Sequence, residues 1–137
     1  MQPTNDLLAL AGTIYGEIRG GTLEQKQNIV QVILNRHNTG SHPTIRDTCL
    51  APLQFSCWNK TDVNYQQILN ADTHDPEVWK ACLDVATAAL NGQNVDRVQG
   101  ARNYYAVSSQ NNPPWWSKVR TARVVLNDGA SIFLTGC

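Results

Sequence analysis

Glu17 closes an apolar stretch in Ile14-Tyr15-Gly16-Glu17-Ile18-Arg19-Gly20-Gly21. A carboxyl group at the rim of an apolar face holds its proton to higher pH, because burial disfavours the anion. Such a group can protonate a departing oxygen, which is what a general acid does when a glycosidic bond breaks. The alternative is a helix-end glutamate paired with Arg19 or Arg36, an arrangement that contributes little. Negative charge near a helix C-terminus opposes the macrodipole, and that cost leans toward a functional role.

Other residue clusters could hold a ligand. Gln54-Phe55-Ser56-Cys57-Trp58 joins hydrogen-bonding side chains to two aromatic rings. Gln54 and Ser56 suit sugar hydroxyls or acetamido groups, and Phe55 and Trp58 suit an apolar wall or, equally, a core aromatic pair. Tyr104, Tyr105, Trp115 and Trp116 form a second cluster around a polar loop. Rings in such loops stack on flat ligands, or pack a hairpin onto helices. His37, His42 and His74 are scattered, with poor spacing for a metal, and no cofactor or metal is expected. No glycine-rich phosphate loop occurs. Cys57 with His42 or His74 would be a nucleophilic pair if they met in space.

The elements that position these residues follow from periodicity and punctuation. A helix is expected from about Asp6 to Arg19, capped by Thr4, Asn5 or Asp6 and stopped by a left-handed glycine at Gly20-Gly21. On it Glu17 falls beside Leu10, at the edge of the apolar arc. Thr22 and Gln25 form a capping box for a second helix, which Asn38-Thr39-Gly40 ends. Pro43 starts a helical turn through Asp47, and Ala51-Pro52 breaks it. Gln54 to Asn59 reads as an ordered loop or short strand. A helix over Tyr65 to Asn70 follows, then one with Asp75 as N-cap and Pro76 at N1, ending at Gly92. Tyr104-Tyr105 leads into a loop over Ser108 to Pro114. Arg123 to Leu126 and Ser131 to Leu134 flank the turn Asn127-Asp128-Gly129, a hairpin. The fold class expected is α+β, mainly α, with a small C-terminal β-hairpin, in one domain over residues 1–137.

Composition narrows the partners. Of 137 residues 42% are hydrophobic and 16% charged, so the chain folds. Eleven Lys+Arg balance eleven Asp+Glu, which argues against nucleic acid as the main partner. Met1-Gln2-Pro3-Thr4-Asn5-Asp6 has neither a basic n-region nor an apolar h-region, and no apolar run approaches the ~20 residues needed to cross a bilayer. No membrane insertion is expected. A target outside the cytoplasm would require delivery by lysis or secretion, or removal of a leader. Cys49, Cys57, Cys82 and Cys137 permit two disulfides, Cys49–Cys57 and Cys82–Cys137 among them, or four free thiols.

Several stretches resemble one family. Ala11-Gly12-Thr13-Ile14-Tyr15-Gly16-Glu17-Ile18-Arg19-Gly20 is similar to the A-x-T-I-Y-G-E-A-R-G stretch of the SleB-type, spore-cortex-lytic cell wall hydrolases. Val32-Ile33-Leu34-Asn35-Arg36, Pro43-Thr44-Ile45, Gln54-Phe55-Ser56-Cys57-Trp58 and Gly100-Ala101 with Tyr104-Tyr105 continue the match in order, over about residues 7–134. The resemblance implies a lysozyme-like fold and cleavage between N-acetylmuramic acid and N-acetylglucosamine in peptidoglycan, as a lytic transglycosylase or a muramidase. It carries the role of general acid onto Glu17. Gln54, Ser56 and Tyr104 are then the expected sugar contacts, Phe55 and Trp58 apolar walls, and Tyr105 and Trp115 the far side of the cleft. Asn35 and Arg36 are expected to lock helices together. Asp47 and Asp62 are the nearest second carboxylates if water is the nucleophile. The family's hairpin and G-A-x-x stretch often carry a histidine; here Ala130 or Ser131, and Arg102-Asn103, stand instead. A leaderless catalytic domain suits a phage endolysin or a delivered antibacterial toxin, a monomer with an immunity or delivery protein as partner. The rival readings are a wall-binding module without catalysis and a cysteine-dependent amidase or peptidase.

Overall fold

The computed structural model describes residues 3–52 and 54–137. Met1 and Gln2, at the head of the stretch read above for a leader, lie outside them. Among the described residues six α-helices come first: α1 Asp6–Ile18, α2 Leu23–His37, α3 Ile45–Leu50, α4 Val63–Leu69, α5 Ala71–His74 and α6 Pro76–Leu90. Three strands follow, β1 Asn103–Ala106, β2 Arg123–Asn127 and β3 Ser131–Thr135. The expectation of a mainly helical α+β fold is met. Among the described residues no helix is long and apolar enough to cross a membrane.

Helix α1 is the axis of the molecule, with α2, α3, α4 and α6 all packed on it. Ala9 to Tyr15 are buried on every side, so the helix is apolar around its circumference where most helices have one wet face. Thr13 tolerates this because its Oγ1 donates to the Ala9 carbonyl at 2.7 Å and accepts from Trp58 Nε1 at 2.9 Å. Leu10, Ile14, Ile29, Ile33 and Phe133 are fully buried, each contributing about 1.5–3 kcal/mol by leaving water.

The ends of α1 depart in one respect from the sequence reading. Asn5 is the N-cap and accepts from the Leu8 amide. Neither Gly20 nor Gly21 is left-handed, and Arg19 closes the helix in the right-handed region. The carbonyls of Arg19 and Gly21 are instead satisfied by the buried ammonium of Lys26, which reaches back from α2. A cation there also complements the helix dipole. Gly21 is required by contact: a Cβ on it would fall 2.6 Å from Ile18 Cγ1.

The capping box of Thr22 and Gln25 is formed as expected. Asp75 precedes α6 but its side chain makes no cap bond; it accepts from Tyr15 Oη at 3.1 Å, tying α6 to α1. Ser56 to Trp58 form a 3-10 turn, not a strand. The hairpin is present as expected. The strand β1 was not expected; it pairs antiparallel with β3, giving the order β1-β3-β2. Its residues Asn103-Tyr104-Tyr105-Ala106 do not alternate apolar with polar and so carry no period-2 signal. The four cysteines are free thiols, Cys49, Cys57 and Cys82 buried and Cys137 exposed.

Candidate active site

The hairpin turn is anchored to α2. Asp128 Oδ1 accepts from the amides of Ala130 and Ser131, and its Oδ2 accepts from the fully buried Asn28. Gln25 Nε2 donates to the Asp128 carbonyl. These bonds bring Ala130 and Ser131 opposite the end of α1. Between them opens a groove of about 810 Å³. A second hollow of about 390 Å³, lined by Gly16, Gly20, Gly21 and Asn64, adjoins it. Glu17, Ile18 and Ala130 line both, so Glu17 stands where the two hollows meet.

Glu17 is half-buried, and among the described residues its side chain has no hydrogen-bond or ion-pair partner. The two arginines that could have paired with it are engaged elsewhere. Arg19 donates to the Tyr15 carbonyl and to Asn64, with its guanidinium over the Tyr15 ring. Arg36 donates to the Arg102 carbonyl at 2.6 Å and to Gln54 at 3.3 Å, over the Phe55 ring. Burial raises the pKa of Glu17 to about 6, the charge of Asp62 adds to the rise, and Arg36 opposes it. Asp62 itself caps α4, accepting from the Asn64 amide at 2.8 Å. Among the described residues Glu17 is the only Asp or Glu lining either hollow.

The residues read from sequence divide into two sets. Gln54 and Tyr104 line the groove with Glu17. Burial, and then the charge of Glu17, push the Tyr104 phenol well above its ordinary pKa, so it remains a hydrogen-bond donor beside the carboxylate. Phe55 and Trp58 are buried in the core. Trp58 packs on Gly12 and donates to Thr13, away from the groove. Ser56 is exposed outside it. Tyr105 supports Trp116 edge-on at 6.1 Å, and Trp116, not the 77% exposed Trp115, lines the groove. A 3-10 turn over Trp115–Lys118 sends the adjacent indoles in different directions.

The sequence reading assigned no place in a sugar cleft to the other lining residues, among them Arg102, Asn103, Ser131 and His42, the last weighed only as a metal ligand or a partner of Cys57. Arg36 was read as a lock between helices. It does fasten α2 to the Arg102 backbone, and it also lines the groove. Asn35 locks as expected, donating to the Ala101 carbonyl. The one signal for Arg102, Asn103 and Ser131 was that they stand where the resembling family often has histidine.

The three buried cysteines offer no activated thiol. Burial pushes Cys49 up to about 12 and Cys82 up to about 11, and raises Cys57 as well. A thiol so held stays protonated and is a poor nucleophile.

Comparison with known proteins agrees with this architecture. The fold is similar to the catalytic domain of the germination-specific lytic transglycosylase SleB from Bacillus anthracis, with TM-score 0.67 and 27% identity, over 97% of this chain and 96% of that one. The catalytic domain of the Bacillus cereus SleB protein matches in fold, with TM-score 0.62 and 22% identity over 98% and 93%. In sequence the chain is 32% identical over 121 residues to a spore cortex-lytic enzyme of Halalkalibacterium halodurans. That match covers 88% of this chain and 33% of the relative, so the chain spans about a third of that protein's length. The family model described as Cell Wall Hydrolase matches residues 20–133. On that match the chain belongs to the cell wall hydrolase family.

Proposed function

We propose that this chain cleaves the glycan strand of peptidoglycan between N-acetylmuramic acid and N-acetylglucosamine, with Glu17 as general acid. The observation that carries the reading is Glu17 itself: a half-buried carboxylate with no hydrogen-bond or ion-pair partner among the described residues, raised to about 6, where two hollows meet. One hollow takes the sugar on each side of the bond to be broken. Protonated Glu17 gives its proton to the bridging oxygen as the bond from that oxygen to the muramoyl C1 breaks. The resulting carboxylate then takes the proton of the nucleophile.

We favour the C6 hydroxyl of the same muramoyl residue as that nucleophile, as in a lytic transglycosylase. The new C1–O6 bond closes a 1,6-anhydro ring, and the proton from O6 returns Glu17 to its starting form. A muramidase would need a second acidic side chain to direct water, and among the described residues the hollows offer no Asp or Glu besides Glu17. Asp62 acts through Glu17 by charge. Gln54 and Tyr104 hold the sugars, and Trp116 supplies an apolar face.

Mass spectrometry of products from purified peptidoglycan tests the reading, with wild type beside Glu17→Gln. Muropeptides lighter by one water, absent with the variant, are expected. Products of full mass would mean hydrolysis. Release that persists in Glu17→Gln would overturn the role of Glu17.

A further inference from the structure

Two cations line the groove, Arg36 and Arg102, and they differ in how they are held. Arg36 is committed: it donates to the Arg102 carbonyl and to Gln54, and its guanidinium covers Phe55. Arg102 is the reverse. Its backbone is fixed by that bond from Arg36 and by its place directly before β1, while its exposed side chain has no hydrogen-bond or ion-pair partner among the described residues. The chain as a whole has zero formal net charge, so two arginines against one acidic side chain is a local excess of side-chain charge. That carboxylate acts as a neutral acid when protonated, which leaves the loaded groove more positive still.

Resting on the glycosidase reading above, we infer that Arg102 is a specificity residue, whose guanidinium takes a carboxylate carried by the glycan strand. Peptidoglycan offers that carboxylate from two sources, the free lactyl group of a peptide-free muramoyl residue and the stem peptide. Arginine presents a fixed fork that matches a carboxylate in two parallel bonds. Arg102 therefore separates acidic strands from neutral ones of the same backbone. A bound anion would also oppose ionisation of Glu17, so the acidic strand helps keep the acid protonated.

The test is calorimetry in a Glu17→Gln background, which reads binding whether or not cleavage occurs. Three probes are used: peptide-free strand fragments with free lactyl carboxylates, the same fragments after conversion to methylamides, and fragments with intact stem peptides. We expect an acidic fragment to bind about tenfold or more tightly than the methylamide. That preference shrinks with added salt, is lost in Arg102→Gln and is partly kept in Arg102→Lys. The tighter acidic probe identifies the source. Equal affinities with Arg102 present, or a preference that survives Arg102→Gln, overturns the inference. A wild type that cleaves through Glu17 without any such preference removes this inference alone. An Arg102-dependent preference without cleavage removes the glycosidase reading alone, and no binding to any fragment removes both.

Discussion

Gly16 lies against Cys57. A Cβ built on this glycine would come within 2.6 Å of the Cys57 Cβ and 2.7 Å of its Sγ, closer than real atoms approach. One turn earlier, a Cβ on Gly12 would meet the Trp58 ring at 2.6 Å. The two glycines thus form a shallow channel on α1 into which the 3-10 turn Ser56–Trp58 is pressed. The residue before Glu17 is a glycine because α1 must approach that turn this closely.

Substituting either glycine overpacks the channel. Gly12→Ala and Gly16→Ala are each expected to cost about 1–3 kcal/mol in urea denaturation. Gly16→Ala should also cut product release beyond its effect on folded fraction, because the backbone of Glu17 must move with it. Equal specific activity in the two folded variants would sever the link between this channel and the position of Glu17.

Removing the charge of Glu17 should make the protein more stable at neutral pH. Its pKa is about 6 in the fold against an ordinary 4.5, so the native state binds more protons than the unfolded one between those values. Stability from this group is therefore full below about pH 4.5 and lost as pH rises through 6. Glu17→Gln should gain about 2 kcal/mol at pH 7 and nothing near pH 4, while losing about 10²–10⁴ in rate. Denaturation curves at the two pH values check the first part, and a gain that does not depend on pH would refute it.

The same value sets a pH profile. A general acid works protonated, so cleavage should decline as pH climbs past about 6. The charge of Asp62 helps hold the pKa up, hence Asp62→Asn should move the alkaline limb to lower pH while leaving the cap of α4 an oxygen acceptor. A limb that stays in place in Asp62→Asn would mean that Asp62 does not tune the acid.

Lys26 closes α1 from α2 with bonds to the carbonyls of Arg19 and Gly21. Lys26→Met keeps the apolar stem and strands both acceptors, at an expected cost of about 1–3 kcal/mol in thermal or chemical denaturation. Hydrogen exchange should rise at the C-terminal turn of α1 before it rises elsewhere. Unchanged protection there would show that the carbonyls are satisfied by water.

The sequence by itself determined a good deal. Helical spacing and the caps at Thr22 and Gly92 gave α2 and α6 close to their bounds, and the Asn127-Asp128-Gly129 turn gave the hairpin, because those signals act within a few residues. The rim position of Glu17 was legible in the same way, from its angle on α1 relative to Leu10. Tertiary structure alone decided which aromatics face the groove. Trp58 and Trp116 look alike in sequence, yet one is drawn into the core by the space above Gly12 and the hydroxyl of Thr13, and the other is turned into the groove with Tyr105 behind it. It also decided that Lys26, not a left-handed glycine, closes α1, and that Arg102 borders the groove. The placements of the aromatics and of Arg102 rest on contacts between residues far apart in the chain or on the sense of a short turn, and the Lys26 closure, though it spans only a few residues, depends on how α2 folds back against α1; none of these is encoded in spacing along the sequence.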